Sequence, residues 1–248
     1  MVARIYNRTV SWIGKLKLKV RRAETPGYRF LRNAAKGFLH SNLPVPRLFK
    51  PVLAAMYEMH YGVIVLWRRF TVYFYKEPLF RARCNSVGKR LQIYADLPYV
   101  EGHAVIDIGD DVTITGRLSI ISGRFHDCPI LTIKDRVWLG NNCVLSVNQE
   151  IVIEEDVMIA NDCRIFDSDG HPSDAEERAR HAPLSPRDIR PVRVCRNAWI
   201  GNGVQILKGV TIGERAIIGA NSVVIADVPA SCVAVGNPAK YFAAKGSG

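Results

Sequence analysis

Residues 194–228 read VCRNAWIGNGVQILKGVTIGERAIIGANSVVIADV, and this stretch decides the fold. An aliphatic residue recurs at every sixth position, and a small or β-branched residue follows four positions after each one. The aliphatic positions are Val194, Ile200, Ile206, Ile212, Ile218 and Val224, and the others are Ala198, Val204, Val210, Ala216, Ser222 and Val228. Helices repeat about every 3.6 residues and strands every two, so neither explains this period. A period of six is typical of a solenoid in which each hexad is a short strand with its aliphatic residue inside.

The same period occurs upstream in shorter runs. Ile133, Leu139 and Leu145 form one run, and a second consists of Ile153, Ile159 and Ile165. An earlier run starts at Ile108 and Ile114. Three hexads make one triangular coil of about eighteen residues. The alternative, a β-rich domain with coincidental spacing, is disfavoured by the consecutive matches in one register. The sequence therefore predicts an all-β solenoid of four to five coils.

Two segments leave the repeat. A short one lies near residues 122–129, and a long one extends over about residues 167–191, where the hexad register is lost. The long segment is charged and contains four prolines, Pro172, Pro183, Pro186 and Pro191. Loops that interrupt a rigid scaffold commonly carry function. We therefore expect functional residues in the loop at 167–191.

The repeat resembles the left-handed parallel β-helix of the hexapeptide-repeat acyltransferases over about residues 103–242. The resemblance implies the left-handed coil, which is an exception to the usual right-handed crossover. It also implies that Gly236-Asn237-Pro238-Ala239-Lys240 closes the last coil. We accordingly divide the chain into a helical module at 1–90, a β-helix acyltransferase domain at 91–242 and a tail at 243–248.

The charge is concentrated at the N-terminus. Residues 1–90 contain 19 Lys and Arg but only three acidic residues, a net charge of +16, whereas the whole chain carries +11. Nucleic acid and anionic lipid are the usual partners of such a module. Nucleic acid is disfavoured because the sequence contains no zinc-ligand spacing, RNA-binding aromatic motif or helix-turn-helix signature.

The N-terminal module has the pattern of helices that lie on a membrane surface. Residues 1–43 read as two basic amphipathic helices, broken near Thr25-Pro26-Gly27, and apolar residues recur at helical spacing from Ile5 to Val20. Residues 57–75 are rich in aromatics but contain charges, so they do not form a span of ~20 apolar residues. We expect residues 1–85 to contact an anionic membrane from the cytoplasmic side. The alternative is that they only cap the solenoid, and both roles are compatible.

The cysteines and histidines point to neither disulfides nor metal. The six cysteines include no CxxC pair, and Cys143 and Cys163 fall at small inward positions of the hexads. This usage fits a reducing cytoplasm. No signal peptide is evident in the charged first twenty residues. A zinc carbonic anhydrase is disfavoured because it needs three imidazoles around one metal, and no histidines stand at paired hexad spacing. We expect no metal.

His171 is the candidate catalytic base. It stands in Asp167-Ser168-Asp169-Gly170-His171-Pro172, at the start of the long loop. Acyl transfer to a hydroxyl needs a base for the hydroxyl proton, and imidazole suits this because it titrates near neutrality. A lone loop histidine is more often simply solvated, and His181 in the same loop is the competing residue.

The combination of this loop with Asn197-Ala198-Trp199-Ile200-Gly201 resembles the galactoside and maltose O-acetyltransferases. The resemblance implies that His171 is the base and that Trp199 lines the acetyl-donor tunnel, although Trp199 could instead pack beneath the loop. It also implies coenzyme A contacts, mostly through the backbone. These match Asn202, Gly219, Ala220, Ile225, Ala226 and Lys240.

The chain departs from this branch at several positions. Ala226 and Ala243 stand where relatives often have basic residues, so Lys240, Lys245 or Lys208 would contact the 3′-phosphate. The acceptor-binding asparagine of the family aligns with Gly140, and the neighbouring Asn141 or Asn142 could replace it. Asp169 is a further candidate for acceptor binding.

The resemblance implies an acetyl-CoA-dependent O-acetyltransferase that acts on a sugar hydroxyl, in a ternary complex with His171 as general base. It also implies a homotrimer with active sites between subunits. The acceptor would be a lipid-linked sugar or a surface-polysaccharide precursor, since the basic module suits a membrane. Two alternatives remain: N-acetylation of an amino-sugar nucleotide, and a non-catalytic solenoid scaffold.

Overall fold

The computed structural model describes residues 12–41, 45–94, 96–123 and 126–243. The predicted helical positions before Trp12 and the candidate phosphate-binding residue Lys245 lie outside the described residues. The chain divides into two compact units, residues 1–60 and 61–248.

Helices dominate the described part of the chain before residue 84. They are α1 (Trp12–Arg22), α2 (Pro26–His40), a 3₁₀ turn (Arg47–Phe49), α3 (Lys50–Thr71), a π-helical turn (Val72–Lys76) and α4 (Glu77–Arg83). The break predicted near Thr25-Pro26-Gly27 is the start of α2. The Thr25 side chain accepts a hydrogen bond from the Tyr28 backbone N–H at 3.3 Å, and Pro26 takes the first turn, where its missing N–H costs nothing.

The rest of the chain is a parallel β-solenoid with three sheets. The first sheet contains β1 (Ser86–Val87), β4 (Val105–Ile108), β7 (Ile130–Ile133), β10 (Glu150–Ile153), β13 (Val192–Val194) and β16 (Thr211–Ile212). The second contains β2 (Gln92–Ile93), β5 (Thr113–Ile114), β8 (Trp138–Leu139), β11 (Met158–Ile159), β14 (Trp199–Ile200), β17 (Ile217–Ile218), β19 (Cys232–Gly236) and β20 (Ala239–Ala243). The third contains β3 (Tyr99–Glu101), β6 (Leu118–Ser122), β9 (Cys143–Val147), β12 (Arg164–Phe166), β15 (Gln205–Ile206) and β18 (Val223–Val224).

The solenoid prediction is confirmed, but the predicted number of coils is wrong. Six coils stack in register from β1 to β18, and β19 pairs in parallel with β17 before β20 returns antiparallel. The first coil departs from the hexad period: Ile93 and Val100 pair with Ile114 and Ile120 of the next coil, but the step between them is one residue longer. Strand Ser86–Val87 nevertheless pairs with Asp107–Ile108.

The hexad residues form the core, as the period predicted. All twelve of the aliphatic and small positions between Val194 and Val228 are buried. They stack on the equivalent residues of neighbouring coils; Ile159, for example, pairs with Leu139 on one side and Ile200 on the other. Since each inward residue touches its counterpart one strand spacing away, burial continues along the whole axis.

The first coil is capped by the turn of helix that precedes it. Val72 and Phe80 are almost completely buried and belong to the same core cluster as Leu91 and Ile93. Arg81 donates hydrogen bonds to the carbonyl oxygens of Val87 and Gly88. Residues 72–83 therefore cover the open end of the solenoid, as solenoids require.

All six cysteines are free thiols. Cys143 and Cys163 occupy the predicted inward positions of adjacent coils and are buried. Burial raises the pKa of the Cys84 thiol to about 11. Cys143 and Cys163 therefore fill the core as small side chains, and Cys84 is a poor nucleophile near neutral pH.

Candidate functional site

The long loop leaves the solenoid at one end of the third sheet. It follows Phe166 at the end of β12, contains one short helix, α5 (Ala175–Ala179), and returns at Val192 in β13 of the first sheet. His171 is the fifth residue after β12 and is exposed. The predicted boundaries of 167–191 agree with the break between these strands. His171 therefore stands beside the corner between the third and first sheets.

Asp167 fixes the first residue of this loop. Its carboxylate is fully buried and accepts backbone hydrogen bonds from Asn148 at 2.7 Å, Gln149 at 2.6 Å and Glu150 at 2.9 Å. Desolvation by burial raises the pKa of Asp167, and the backbone N–H donors oppose that shift. Three donors from the preceding coil thus hold one carboxylate, which sets the position where the loop begins.

Ser168 continues the same network. Its hydroxyl oxygen accepts a hydrogen bond from the side-chain amide of Asn148 at 2.7 Å, and both residues are buried. Ser168 also forms an antiparallel bridge with Ile189, and the Asp169 N–H donates to the Asp188 carbonyl at 3.0 Å. The two ends of the loop are therefore joined, which restricts the backbone that presents His171.

Asp169 and Lys208 form an ion pair across two coils. The Lys208 ammonium donates to a carboxylate oxygen of Asp169 and also to the Arg187 carbonyl at 2.8 Å. Lys208 was a candidate for the 3′-phosphate of coenzyme A, and Asp169 was a candidate for the acceptor. In this structure the two side chains bind each other, next to Gly170 and His171.

A cleft adjoins this part of the loop. Its volume is about 370 Å³, and three successive coils contribute to it. The lining residues are Ser146, Phe166, Ser168, Asp169, Gly170 and Leu207. Phe166 and Leu207 provide apolar surface, while Ser146, Ser168 and Asp169 provide hydrogen-bonding groups. Ring faces and hydroxyls of a sugar need this combination.

Trp199 lies on the second sheet, away from the sheet that leads to His171. Its side chain is 52% exposed and stands in a row of outward residues, because Met158 pairs with both Trp138 and Trp199. Trp138 is 45% and Met158 is 44% exposed. The second sheet thus presents an apolar stripe of Trp138, Met158 and Trp199 to its outer side.

Asn141 and Asn142 lie at the opposite end of the third-sheet strands from His171, because they precede β9 whereas His171 follows β12. The Asn141 side-chain oxygen accepts from the Arg117 N–H at 2.9 Å, and Asn142 donates to Asp162 at 2.7 Å. Asn202 continues this column of corner residues, since it accepts from the Asn161 N–H at 3.1 Å. The structure does not bring Asn141 or Asn142 to His171.

Gly140 is explained by the packing of the coils. A Cβ atom on this residue would lie 2.4 Å from the carbonyl carbon of Ala160. The corner therefore has no room for a side chain, and the acceptor-binding asparagine of the resembling enzymes could not stand here.

The other candidate coenzyme contacts fall into two groups. Gly219 and Ala220 lie at the corner between the second and third sheets, like Asn202, whereas Ile225 and Ala226 follow β18 at the same end of the third sheet as His171. Lys240 is exposed on β20. Only Ile225 and Ala226 share an edge of the solenoid with His171 within one chain.

Sequence reasoning missed Asp167 and Asn148. The signal was present, because Cys163, Ile165 and Asp167 occupy alternate buried positions in and beside β12, and continuing the register of β12 with β9 places this carboxylate opposite Val147. No group of three or more His, Cys, Asp or Glu residues suited to a metal ion occurs among the described residues.

Comparison with known proteins identifies the repeat. Residues 191–226 match the family model of the bacterial transferase hexapeptide (six repeats). A Schizosaccharomyces pombe protein named "putative acetyltransferase" is 37% identical over 197 residues, which covers 67% of this chain and 83% of the relative. A Mycobacterium tuberculosis protein named "probable acetyltransferase" is 33% identical over 158 residues, or 62% of this chain. A Saccharomyces cerevisiae protein, also named "putative acetyltransferase", is 40% identical over 110 residues, or 44% of this chain. The aligned region spans about half of each of the last two relatives: 48% of the Mycobacterium tuberculosis protein and 54% of the Saccharomyces cerevisiae protein.

Solved structures share the fold at low sequence identity. A variant of the N-acyltransferase AntD from Bacillus cereus, in complex with dTDP-4-amino-4,6-dideoxyglucose and coenzyme A, superimposes with a TM-score of 0.56 at 21% identity. The match covers 70% of this chain and 90% of AntD. AntD in complex with dTDP and 3-hydroxybutyryl-CoA gives a TM-score of 0.53 at 19% identity, with 70% and 89% covered.

Three findings indicate the same family: the six-residue repeat, the geometry of the coils, and the Schizosaccharomyces pombe relative, which is aligned over 83% of its length. The solenoid is the left-handed β-helix of these transferases. The chain belongs to the hexapeptide-repeat acyltransferase family.

Proposed function

We propose that this protein transfers an acetyl group from acetyl-CoA to the hydroxyl of a sugar. The observation that supports this proposal is the placement of His171. It stands on a loop held by the buried Asp167 and joined at both ends, beside a cleft of about 370 Å³ with apolar and hydrogen-bonding walls. An imidazole on a restrained loop, adjacent in sequence to the cleft residues Asp169 and Gly170, suits direct acyl transfer to a hydroxyl.

The proposed reaction needs one base and no covalent intermediate with the protein. A ring nitrogen of His171 accepts the hydroxyl proton while the hydroxyl oxygen attacks the thioester carbonyl carbon. The carbon–sulfur bond then breaks, and the imidazolium returns the proton to the leaving thiolate, so that the products are the acetyl ester and coenzyme A. Backbone N–H groups would stabilise the oxyanion.

The chain offers a surface that fits coenzyme A. Ala220 and Ala226 are small and exposed, so their side chains leave the backbone accessible to an extended pantetheine arm. Lys240 is an exposed cation on β20, the last strand of the second sheet, and could bind a phosphate. When bound, the coenzyme supplies the activated acetyl group, and the chain's own residues position it. AntD, which has the same fold, was solved with coenzyme A.

A direct assay tests this function. Release of coenzyme A thiol from acetyl-CoA would be measured with hexoses, sugar nucleotides and their amino-sugar counterparts, and the products would be tested with hydroxylamine, which cleaves acetyl esters but not amides. We expect ester formation. Amide formation on amino-sugar nucleotides alone would support the N-acyltransferase alternative, the activity that AntD's name states. Absence of transfer to every acceptor would favour a scaffold.

We further propose a homotrimer, because one chain does not complete the site. His171 and Trp199 lie on different sides of the solenoid, and Asn202, Gly219 and Ala220 lie at a corner remote from the loop. A neighbouring copy could place its Trp199 side beside His171. The exposed stripe of Trp138, Met158 and Trp199 would then be buried between copies.

Replacement of Met158 by Glu should dissociate the trimer. A buried carboxylate without a partner is costly, and threefold symmetry applies that cost three times. We expect multi-angle light scattering to give a monomer mass at micromolar concentration, with at least ~10-fold lower activity. Thr211→Glu on the outer side of the first sheet is the matched control and should remain trimeric. A Met158→Glu variant with unchanged mass would contradict this interface.

We propose a lipid-linked sugar or a surface-polysaccharide precursor as the acceptor, and a position at the cytoplasmic face of a membrane. Two features support this: the charge of +16 on residues 1–90, and the exposed aromatic residues of α3. The acetylation assay should therefore include lipid-linked acceptors in mixed micelles.

A further inference from the structure

Helix α2 has two chemically distinct faces. At 100° per residue, Phe30, Leu31, Ala34 and Phe38 fall within an arc of about 100°, and the basic residues fall on the opposite side. The apolar face consists of Phe30, Leu31, Ala34 and Phe38, and the basic face of Arg29, Arg32, Lys36 and His40, whereas Leu39 lies at the boundary beside Arg32. Helix α2 contains no acidic residue and no buried residue.

The apolar face of α2 is exposed in the described structure. Phe30 is 72%, Leu31 52% and Phe38 81% exposed. Large side chains at such exposure, placed side by side, form a contiguous apolar patch, and patches of this kind mark interaction sites. The face is preformed, since Thr25 caps the helix and α2 packs on α1.

Charge complementarity identifies what covers this face. Helix α1 adds Lys15, Lys17, Lys19, Arg21 and Arg22, and Glu24 is the one acidic residue between Trp12 and Lys50. Two copies of this surface would bring like charges together. An anionic bilayer instead accepts the apolar face between its acyl chains and the cations at its headgroups.

Helix α3 is consistent with the same environment. It has 22 residues, and none of them is buried; Leu66 is 72% and Trp67 is 66% exposed. Among the described residues, no helix is long and apolar enough to cross a membrane. Trp67 and Phe70 stack on each other, and Arg68 and Arg69 lie next to them. Aromatic rings beside cations are typical of helices at the level of the headgroups.

We propose that the apolar face of α2, formed by Phe30, Leu31, Ala34 and Phe38, is a docking surface for an anionic lipid bilayer. The helix lies in the plane of the membrane, with Phe30, Leu31 and Phe38 inserted and Arg29 and Lys36 facing the headgroups and water. This docking rests on the membrane position proposed above and not on the transfer chemistry, because no residue of α2 is assigned a role in catalysis or coenzyme binding.

Vesicle flotation of the full chain tests the proposal. The probes are vesicles of phosphatidylcholine alone and of phosphatidylcholine with about one quarter phosphatidylglycerol. We expect binding to the anionic vesicles that weakens at high salt, and at least ~10-fold weaker binding to the neutral ones. Phe38→Glu should lower the partition coefficient on anionic vesicles at least ~10-fold, because it removes a large apolar side chain from the inserted face.

Asn33→Glu is the matched control, since it changes the charge of the same helix by the same amount on the basic face. We expect it to lower binding less than about threefold. Both variants replace exposed residues, and circular dichroism and activity on a soluble acceptor would verify that they are folded. Equal loss in the two variants would overturn the proposal, because charge alone would then explain binding. Equal binding to neutral and anionic vesicles would also overturn it. So would a lower oligomeric mass of Phe38→Glu without lipid, which would assign the face to another copy of the chain.

Discussion

Replacement of His171 by Ala should lower kcat for acetyl transfer by at least ~10²-fold while the KM for acetyl-CoA changes little. Loss of a general base costs ~10²–10⁴-fold in rate, and the coenzyme contacts assigned above do not include this side chain. The substitution should leave the fold intact, because His171 is exposed and lies outside the core. The measurement is steady-state release of coenzyme A thiol, with thermal unfolding as the test of folding.

His181→Asn is the control for this experiment. His181 lies in the same loop and is also exposed, and its φ of +53° is a conformation that asparagine tolerates better than alanine does. We expect near-normal kcat. A His171→Ala variant that keeps full activity would remove the base from the proposed mechanism. Loss of activity in His181→Asn but not in His171→Ala would transfer the role to His181.

The solenoid could be predicted from sequence because its core is one-dimensional. Each inward position, such as Ile200, contacts the same position one coil away, at Ile159 and Ile218, so the spacing along the chain reports the packing directly. The first coil could not be predicted, because the step from Ile93 to Val100 breaks the six-residue spacing and its open end is covered by Val72 and Phe80 rather than by another hexad. Packing of a coil against a helix leaves no six-residue period in the sequence.

The candidate site was predictable only in part. The loop boundaries followed from the loss of the hexads, and His171 followed from the chemistry of acyl transfer. The hydrogen-bond partners of Asp169 and Asn141 could not be predicted. Lys208 lies 39 residues from Asp169 along the chain, and Arg117 lies 24 residues from Asn141. Such pairs arise from stacking of coils across an insertion whose length no repeat specifies.

Asp167 connects the loop that carries His171 to the coil beneath it. Its carboxylate satisfies the N–H groups of Asn148, Gln149 and Glu150 inside the protein. Burial raises the pKa of Asp167 above its value in the unfolded chain. The folded protein therefore binds this proton more tightly, so the contribution to stability is complete below the unfolded pKa and is lost as pH rises through the folded pKa. In Asp167→Asn, this part of the pH dependence of the free energy of unfolding should disappear.

Asp167→Ala should destabilise the protein and also misplace His171. One buried and two partly buried N–H donors would lose their acceptor, at a cost of about 3 kcal/mol in the free energy of unfolding, since unsatisfied buried groups cost ~1–3 kcal/mol each. Release of the loop would in addition lower kcat ~10–100-fold, at temperatures where the protein is still folded. The reason is that a general base displaced by about 1 Å loses its alignment with the reacting hydroxyl. Urea unfolding and steady-state kinetics at 15 °C separate the two effects. Asp174→Ala, which removes an exposed cap of α5 in the same loop, is the control and should retain activity. An Asp167→Ala variant with reduced stability but unchanged kcat would restrict this carboxylate to folding.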